Sequence, residues 1–101
     1  MAAVRESTIE RHLVKLVKAA GGEVRKVQWL HHRGAPDRLV MLPPGAAVFA
    51  DNQITSTFWV ELKAPGKKAE PHQVREHRRM RNMGQCVVVL DSIEAVDEAF
   101  S

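Results

Sequence analysis

The stretch Thr57-Phe-Trp-Val-Glu-Leu-Lys63 decides the fold of this chain. Its β-branched and aromatic residues are typical of a strand, and their number predicts a central position in a sheet. Successive side chains of a strand point to opposite faces, so Glu61 and Lys63 share one face while Leu62 points into the core. A carboxylate and an ammonium are therefore predicted side by side at the end of a buried strand.

Outward from this strand, the hydrophobic pattern predicts one mixed α/β domain over residues 1–101 in the order α-β-β-β-β-α-β-α. The first helix, about 13 residues long, is capped by Ser7 and ends at Gly21-Gly22. Residues 51–56 are predicted to be a polar connecting loop. The other predicted elements are strands at 23–30, 38–42, 46–50 and 86–90 and helices at 70–83 and 93–100.

Composition excludes several classes of protein. A chain of 101 residues, with 45% hydrophobic and 27% charged residues, predicts one globular core and no separate binding and catalytic domains. It has no apolar run near the roughly 20 residues needed to span a bilayer, and residues 1–7 lack the apolar stretch of a signal peptide. These features predict a cytosolic protein. The single cysteine, Cys86, excludes an intramolecular disulfide and a cysteine-based zinc site, and its apolar strand predicts inert packing.

The charge is unevenly distributed along the chain. Residues 63–81 contain seven lysines and arginines against two glutamates, a balance of +5, whereas residues 91–101 contain four acids and no base. Such polarity favours one face that binds a polyanion, although a solvated basic helix gives the same pattern.

The group most able to carry chemistry combines Asp37, which follows Gly34-Ala35-Pro36, with Glu61 and Lys63. If the strands that carry the two acids are neighbours, both carboxylates can converge on one hard cation such as Mg²⁺ or Mn²⁺. The nearby ammonium can then orient a water or neutralise an oxyanion during phosphodiester hydrolysis. A Glu and a Lys two residues apart also occur on ordinary solvated strand faces, so this spacing alone is a weak signal.

A wider set of residues resembles the virus-type replication-repair nuclease (VRR-NUC) domain of the PD-(D/E)XK nuclease superfamily. The resemblance covers nearly the whole chain. It rests on Ile9-Glu10 in the first helix, Gly21-Gly22 followed by Lys26, the motif RGAPDR at 33–38, the motif VELKAPG at 60–66, and Gln73 in the next helix.

This resemblance implies a PD-(D/E)XK restriction-endonuclease-like fold, a mixed central sheet flanked by helices. It also implies a Mg²⁺- or Mn²⁺-dependent DNA endonuclease. The implied metal ligands are Asp37, Glu61 and the Leu62 carbonyl, and Lys63 is the implied catalytic lysine. A first-helix acid is expected near the metal, with Glu10 the better match and Glu6 the alternative. Gln73 is expected to support the active site or a phosphate.

Members that stand alone resemble symmetric junction resolvases, which implies a homodimer that cleaves branched DNA such as four-way junctions or flaps. Because the family occurs in phages and repair enzymes, the resemblance implies a role in recombination or DNA repair in the cytosol of a bacterium or a phage-infected host. The residues expected to contact DNA are Lys26, Arg33, Arg38, Lys67, Lys68, Arg75, Arg78 and Arg79.

Two other functions compete with this interpretation. The basic second helix can also belong to a nucleic-acid-binding module without catalysis, and the acidic last helix to a protein-interaction domain, although the latter has little support. Trp29 and Trp59 either stack on bases or, as we favour, pack the sheet. Adjacent His31 and His32 favour solvent or phosphate contact over metal binding, and His77 favours a partly buried core position over a general base.

Overall fold

A four-stranded mixed sheet forms the centre of the computed structural model, which describes residues 4–100. Residues 1–3, part of the segment inspected for a signal peptide, and residue 101 lie outside the described residues. The elements are α1 (Glu6–Ala19), β1 (Glu23–Lys26), β2 (Arg38–Met41), a 3₁₀ turn (Pro44–Ala46), β3 (Val48–Ala50), β4 (Gln53–Thr55), β5 (Thr57–Leu62), α2 (Pro71–Asn82), β6 (Val87–Leu90) and α3 (Ile93–Ala99).

Strand β5 lies inside the sheet, as the sequence predicts. The strand order is β1-β2-β5-β6, with antiparallel pairs on one side of β5 and the parallel pair β5-β6 on the other. Helix α2 forms the connection that a parallel pair requires. One face of β5 carries Phe58, Val60 and Leu62 into the hydrophobic core, which α1 and α3 complete. The predicted α/β class, a mixed sheet flanked by helices, is confirmed.

Residues 51–56 form part of a β-hairpin, so the predicted loop is wrong and the chain has one strand more than expected. Strands β3 and β4 pair with each other in a separate two-stranded sheet. Asp51 and Asn52 join them with positive φ angles of 49° and 60°, the backbone conformation of a tight hairpin turn. The Cys86 thiol donates a hydrogen bond to the Ala50 carbonyl at 3.5 Å and thereby ties β3 to the main sheet. Burial raises the pKa of this thiol to about 11, which keeps it protonated.

Smaller differences concern the ends and faces of elements. Arg5, not Ser7, is the N-cap of α1, and its N–H donates to Thr8 Oγ1. Strand β1 ends at Lys26 rather than at residue 30. On α2 the buried residues are His77 and Met80, whereas Val74 is exposed. In the part of the chain from 4 to 100, no helix is long and apolar enough to cross a membrane.

Candidate active site

Asp37, the residue directly before β2, lies opposite Glu61 of the neighbouring strand β5. Arg38 pairs with Val60 in the antiparallel β2-β5 register, so one further step places Asp37 across from Glu61. The Asp37 carbonyl accepts a hydrogen bond of 2.9 Å from Val27 N–H, which continues the β1-β2 ladder to this position. Opposed residues of an antiparallel pair point to the same face, with Cβ atoms about 5 Å apart. The two carboxylates therefore share one face of the sheet.

Glu61 is an unusual member of this pair because only 9% of its surface is exposed. Burial raises its pKa to about 7; Lys63 and Arg38 oppose that rise, whereas Asp37 and Glu6 add to it. A positive charge placed beside such a buried carboxylate would stabilise its ionised form. Glu61 thus has the electrostatic character of a cation ligand.

The donor set fits a hard divalent cation. Asp37 and Glu61 supply carboxylate oxygens, and Leu62, the next residue of β5, supplies a backbone carbonyl. Among residues 4–100, no three His, Cys, Asp or Glu side chains come close enough together to form a metal site by themselves. Two carboxylates and one carbonyl would leave further coordination positions of such a cation open.

The expected third carboxylate, that of Glu10, does not join Asp37 and Glu61 in such a cluster. The Arg38 guanidinium binds the Glu10 carboxylate through Nε and Nη2, and it also contacts Asp37 Oδ1 at 2.9 Å. Partial burial lowers the pKa of Arg38, but its hydrogen bonds and ion pairs with Glu10 and Asp37 outweigh that effect, so the pKa is raised. Glu6, one turn earlier, makes no ion pair among the described residues and acts on Glu61 electrostatically. Of the two first-helix acids, Glu6 is therefore the less constrained.

His77 contacts this site from α2. It is 1% exposed, and its Nε2 lies 3.7 Å from Glu61 Oε1 without a hydrogen-bond partner among the described residues. Burial lowers the pKa of the imidazole and Arg81 lowers it further, while a hydrogen bond to the backbone of Gly34 opposes the change. A neutral imidazole therefore lies between the buried carboxylate and the loop that carries the RGAPDR motif, hereafter the motif loop. The sequence predicts a partly buried core histidine. The only local indication of a position near the site is that His77 follows Gln73 by one turn of the same helix.

Position 34 in the motif loop requires a glycine. Its φ is +86°, and a Cβ at this position would lie 2.7 Å from the His72 carbonyl oxygen. The loop backbone therefore packs directly on the first turn of α2. In that turn the Gln73 side chain accepts a hydrogen bond of 2.8 Å from Glu70 N–H, so Gln73 holds the helix start against which the loop rests.

The basic residues fall into two groups. Six of the eight expected DNA-contacting side chains are exposed and make no ion pair in the described part of the chain: Lys26, Arg33, Lys67, Lys68, Arg75 and Arg78. Arg38 and Arg79 differ, because Arg38 is held by Glu10 and Asp37, and Arg79 pairs with Glu76 at 2.7 Å. Arg38 is therefore held by two carboxylates, one of them the candidate ligand Asp37, and is less free than the other bases to contact a phosphate.

Comparison with known proteins supports the same family. No family model matches the chain. The protein named "Putative nuclease p44" of Acyrthosiphon pisum secondary endosymbiont phage 1 is 46% identical over 92 residues, covering 91% of this chain and 88% of that protein. A solved structure described as "VRR_NUC domain" matches with a TM-score of 0.76 and 36% identity, over 95% of this chain and 94% of that one. The chain belongs to the VRR-NUC family of nucleases.

Proposed function

We propose that this protein is a Mg²⁺- or Mn²⁺-dependent DNA endonuclease whose metal ligands are Asp37, Glu61 and the Leu62 carbonyl. The observation that carries the proposal is the cross-strand pair, in which a buried carboxylate with a raised pKa faces a second carboxylate. Two carboxylates that face each other repel unless one of them is protonated or a cation lies between them. A bound divalent cation would lower the pKa of a water and neutralise charge on the phosphate.

The protein's own residues then have distinct tasks. Lys63 lies two residues after Glu61 and is half-buried, so its ammonium can orient the attacking water and stabilise charge that develops on the phosphate. Arg38 holds Asp37 in place through their ion pair. His77 and Gln73 support Glu61 and the start of α2, respectively. Glu10 acts through Arg38, and Glu6 is the first-helix acid that faces the site.

The exposed bases around the site would hold the DNA backbone. Lys67 and Lys68 lie in the turn after β5, and Arg75 and Arg78 lie on the exposed side of α2. Contacts from such residues go to phosphates, are independent of sequence and weaken with salt. Sequence-independent binding is compatible with an enzyme that selects branched DNA. We therefore also propose that the enzyme prefers branched DNA. Its proposed role is in recombination or repair in the cytosol.

The decisive experiment is digestion of four-way junctions, flaps, splayed arms and linear duplexes with Mg²⁺, Mn²⁺ or chelator. The variants are D37N, E61Q and K63M, with K15M on the exposed side of α1 as a control that removes the same charge. We expect each active-site variant to lose at least about 100-fold in cleavage rate and K15M to keep it. Cleavage that persists in chelator or in all three variants would refute the proposal. DNA binding without any cleavage would favour the non-catalytic module.

We also propose a homodimer with two active sites, because a chain of 101 residues covers only a small part of a branched duplex. The test is the mass in solution by light scattering at micromolar protein, with and without junction DNA. A monomeric mass under both conditions would exclude this assembly while leaving the proposed chemistry intact.

A further inference from the structure

A cavity of about 380 Å³ opens on the face of β5 that also carries Glu61. Trp59 is two residues before Glu61, so the two side chains share a face and lie about 7 Å apart along the strand. The residues that line the cavity include Trp29, Trp59, His32, Met83, Gln85 and the ion pair of Arg79 with Glu76. Trp29 and His32 also line a second cavity that reaches Asp37. The two cavities therefore adjoin at Trp29 and His32, and the second one extends to Asp37.

Both indole rings are fixed at their polar ends. Trp29 Nε1 donates to the Pro36 carbonyl at 2.8 Å, and Trp59 Nε1 donates to Gln85 Oε1 at 3.1 Å. The ring centroids lie 5.0 Å apart at an angle of 49°, and both tryptophans remain partly exposed. The tryptophans thus pack on each other, as the sequence interpretation favoured, but they also leave an aromatic surface open toward the cavity.

We propose that this cavity binds an unpaired nucleobase of a DNA strand whose phosphate lies at Asp37 and Glu61. The inference rests on the proposed nuclease function and adds a substrate contact to it. Aromatic rings stack on any base, and the Gln85 side chain can donate and accept hydrogen bonds at a base edge. Fixed rings beside a phosphate site suit splayed or single-stranded DNA, whose bases are free to leave the duplex.

Three features favour a nucleobase over a second copy of this chain. The cavity shares Trp29 and His32 with the one that reaches Asp37, whereas a protein interface needs no such link to the candidate site. Helix α2, which forms one wall, also carries the exposed Arg75 and Arg78, which make no ion pair among the described residues, and their charge attracts a polyanion. The cavity volume of about 380 Å³ also falls within the range typical of small-ligand sites, about 300–1,000 Å³.

Intrinsic fluorescence tests this proposal directly, because Trp29 and Trp59 are the only tryptophans and the chain has no tyrosine. The wild-type protein is titrated in chelator and low salt, where no cleavage is expected, with a short single-stranded oligothymidylate. An abasic oligonucleotide of equal length keeps the phosphates and removes the bases. We expect the oligothymidylate to quench the tryptophan emission and to bind at least about fivefold more tightly than the abasic strand.

A pair of variants localises the effect. Met83 and Ile54 are both 78% exposed, but only Met83 borders the cavity, whereas Ile54 lies on the β3-β4 hairpin. We expect M83E to weaken oligothymidylate binding at least about fivefold and I54E to leave it unchanged. W29L removes one ring at similar apolar character and is expected to remove the preference for intact over abasic strands.

Two kinds of result would overturn the inference. Equal quenching by intact and abasic strands, or unchanged emission while labelled DNA binds by anisotropy, would show that only phosphates are recognised. Emission that changes on dilution of the protein alone, in step with its mass, would assign the cavity to a second copy. Either result leaves metal-dependent cleavage by the wild type intact, and loss of cleavage leaves the quenching assay readable.

Discussion

The two faces of β5 show opposite chemistry on six consecutive residues. Toward α1 and α3 the strand presents Phe58, Val60 and Leu62, each at most 4% exposed and packed in the hydrophobic core. Toward α2 it presents Trp59 and Glu61, with a buried carboxylate and a buried histidine nitrogen that lacks a partner in the described structure. The apolar face stabilises the fold, whereas the other face holds polar groups in a buried environment that is unfavourable for them. That contrast supports the proposed active site on the α2 side.

The largest effect is expected on the core face. Phe58→Ala removes a fully buried ring and should lower the free energy of unfolding by about 3–5 kcal/mol. Phe49→Ala makes the same chemical change on the hairpin, where the ring is 62% exposed, and should cost less than about 1 kcal/mol. Urea unfolding followed by circular dichroism measures both. Equal losses in the two variants would contradict the division between the faces.

The next effect concerns the contact between the motif loop and α2. Gly34→Ala combines a left-handed backbone with a contact of 2.7 Å to the His72 carbonyl oxygen, and we expect it to cost about 2–3 kcal/mol and to reduce cleavage strongly. Gly66→Ala has a similar φ of +80° but open space around the new methyl group. It should cost only about 1 kcal/mol from backbone strain. If the two variants behave alike, the close packing of loop and helix has no role.

The charge of Glu61 should destabilise the metal-free fold. Its pKa is about 7 in the folded protein against an ordinary 4.5, so the folded state binds more protons than the unfolded state between these values. Stability is therefore lost as pH rises from about 4.5 to about 7, and the loss is complete above pH 7. Lys63 and Arg38 face this carboxylate and reduce the loss.

Glu61→Gln should remove this penalty. Without metal it is expected to be more stable than wild type by about 1–3 kcal/mol at pH 8 and by nearly nothing at pH 4.5. Because the same groups surround position 61 in both proteins, including Asp37, Glu6 and His77, comparison at each pH isolates this carboxylate. Thermal unfolding with and without Mg²⁺ measures it, and the variant should also lose any stabilisation by the metal. A variant less stable than wild type at pH 8 would contradict the conclusion that the charged form of Glu61 destabilises the metal-free fold.

Sequence reasoning succeeded where short-range rules apply. Alternation along residues 57–63 predicts which side chains share a face, and the register of β2 and β5 then places Asp37 opposite Glu61. It failed at Asp51 and Asn52, because two non-glycine residues with positive φ give little sign of a hairpin. The pairing of Arg38 with Glu10 joins residues 28 positions apart, and no local pattern reports such a contact.

His77 is the clearest case of information that only the assembled fold contains, and it gives the smallest expected effect. The imidazole contacts Glu61 and the Gly34 backbone from a third element, so its role depends on three segments packing correctly. We expect His77→Phe, which keeps a ring of similar size, to lower kcat about tenfold while KM for DNA and the unfolding midpoint change little. His77→Gln, which retains a hydrogen-bonding side chain, should recover part of the loss. Steady-state cleavage kinetics with both variants test this. A change in KM alone, or an equal loss in both variants, would mean that His77 only fills space beneath the site and that the polar face of β5 orders its carboxylate without help from α2.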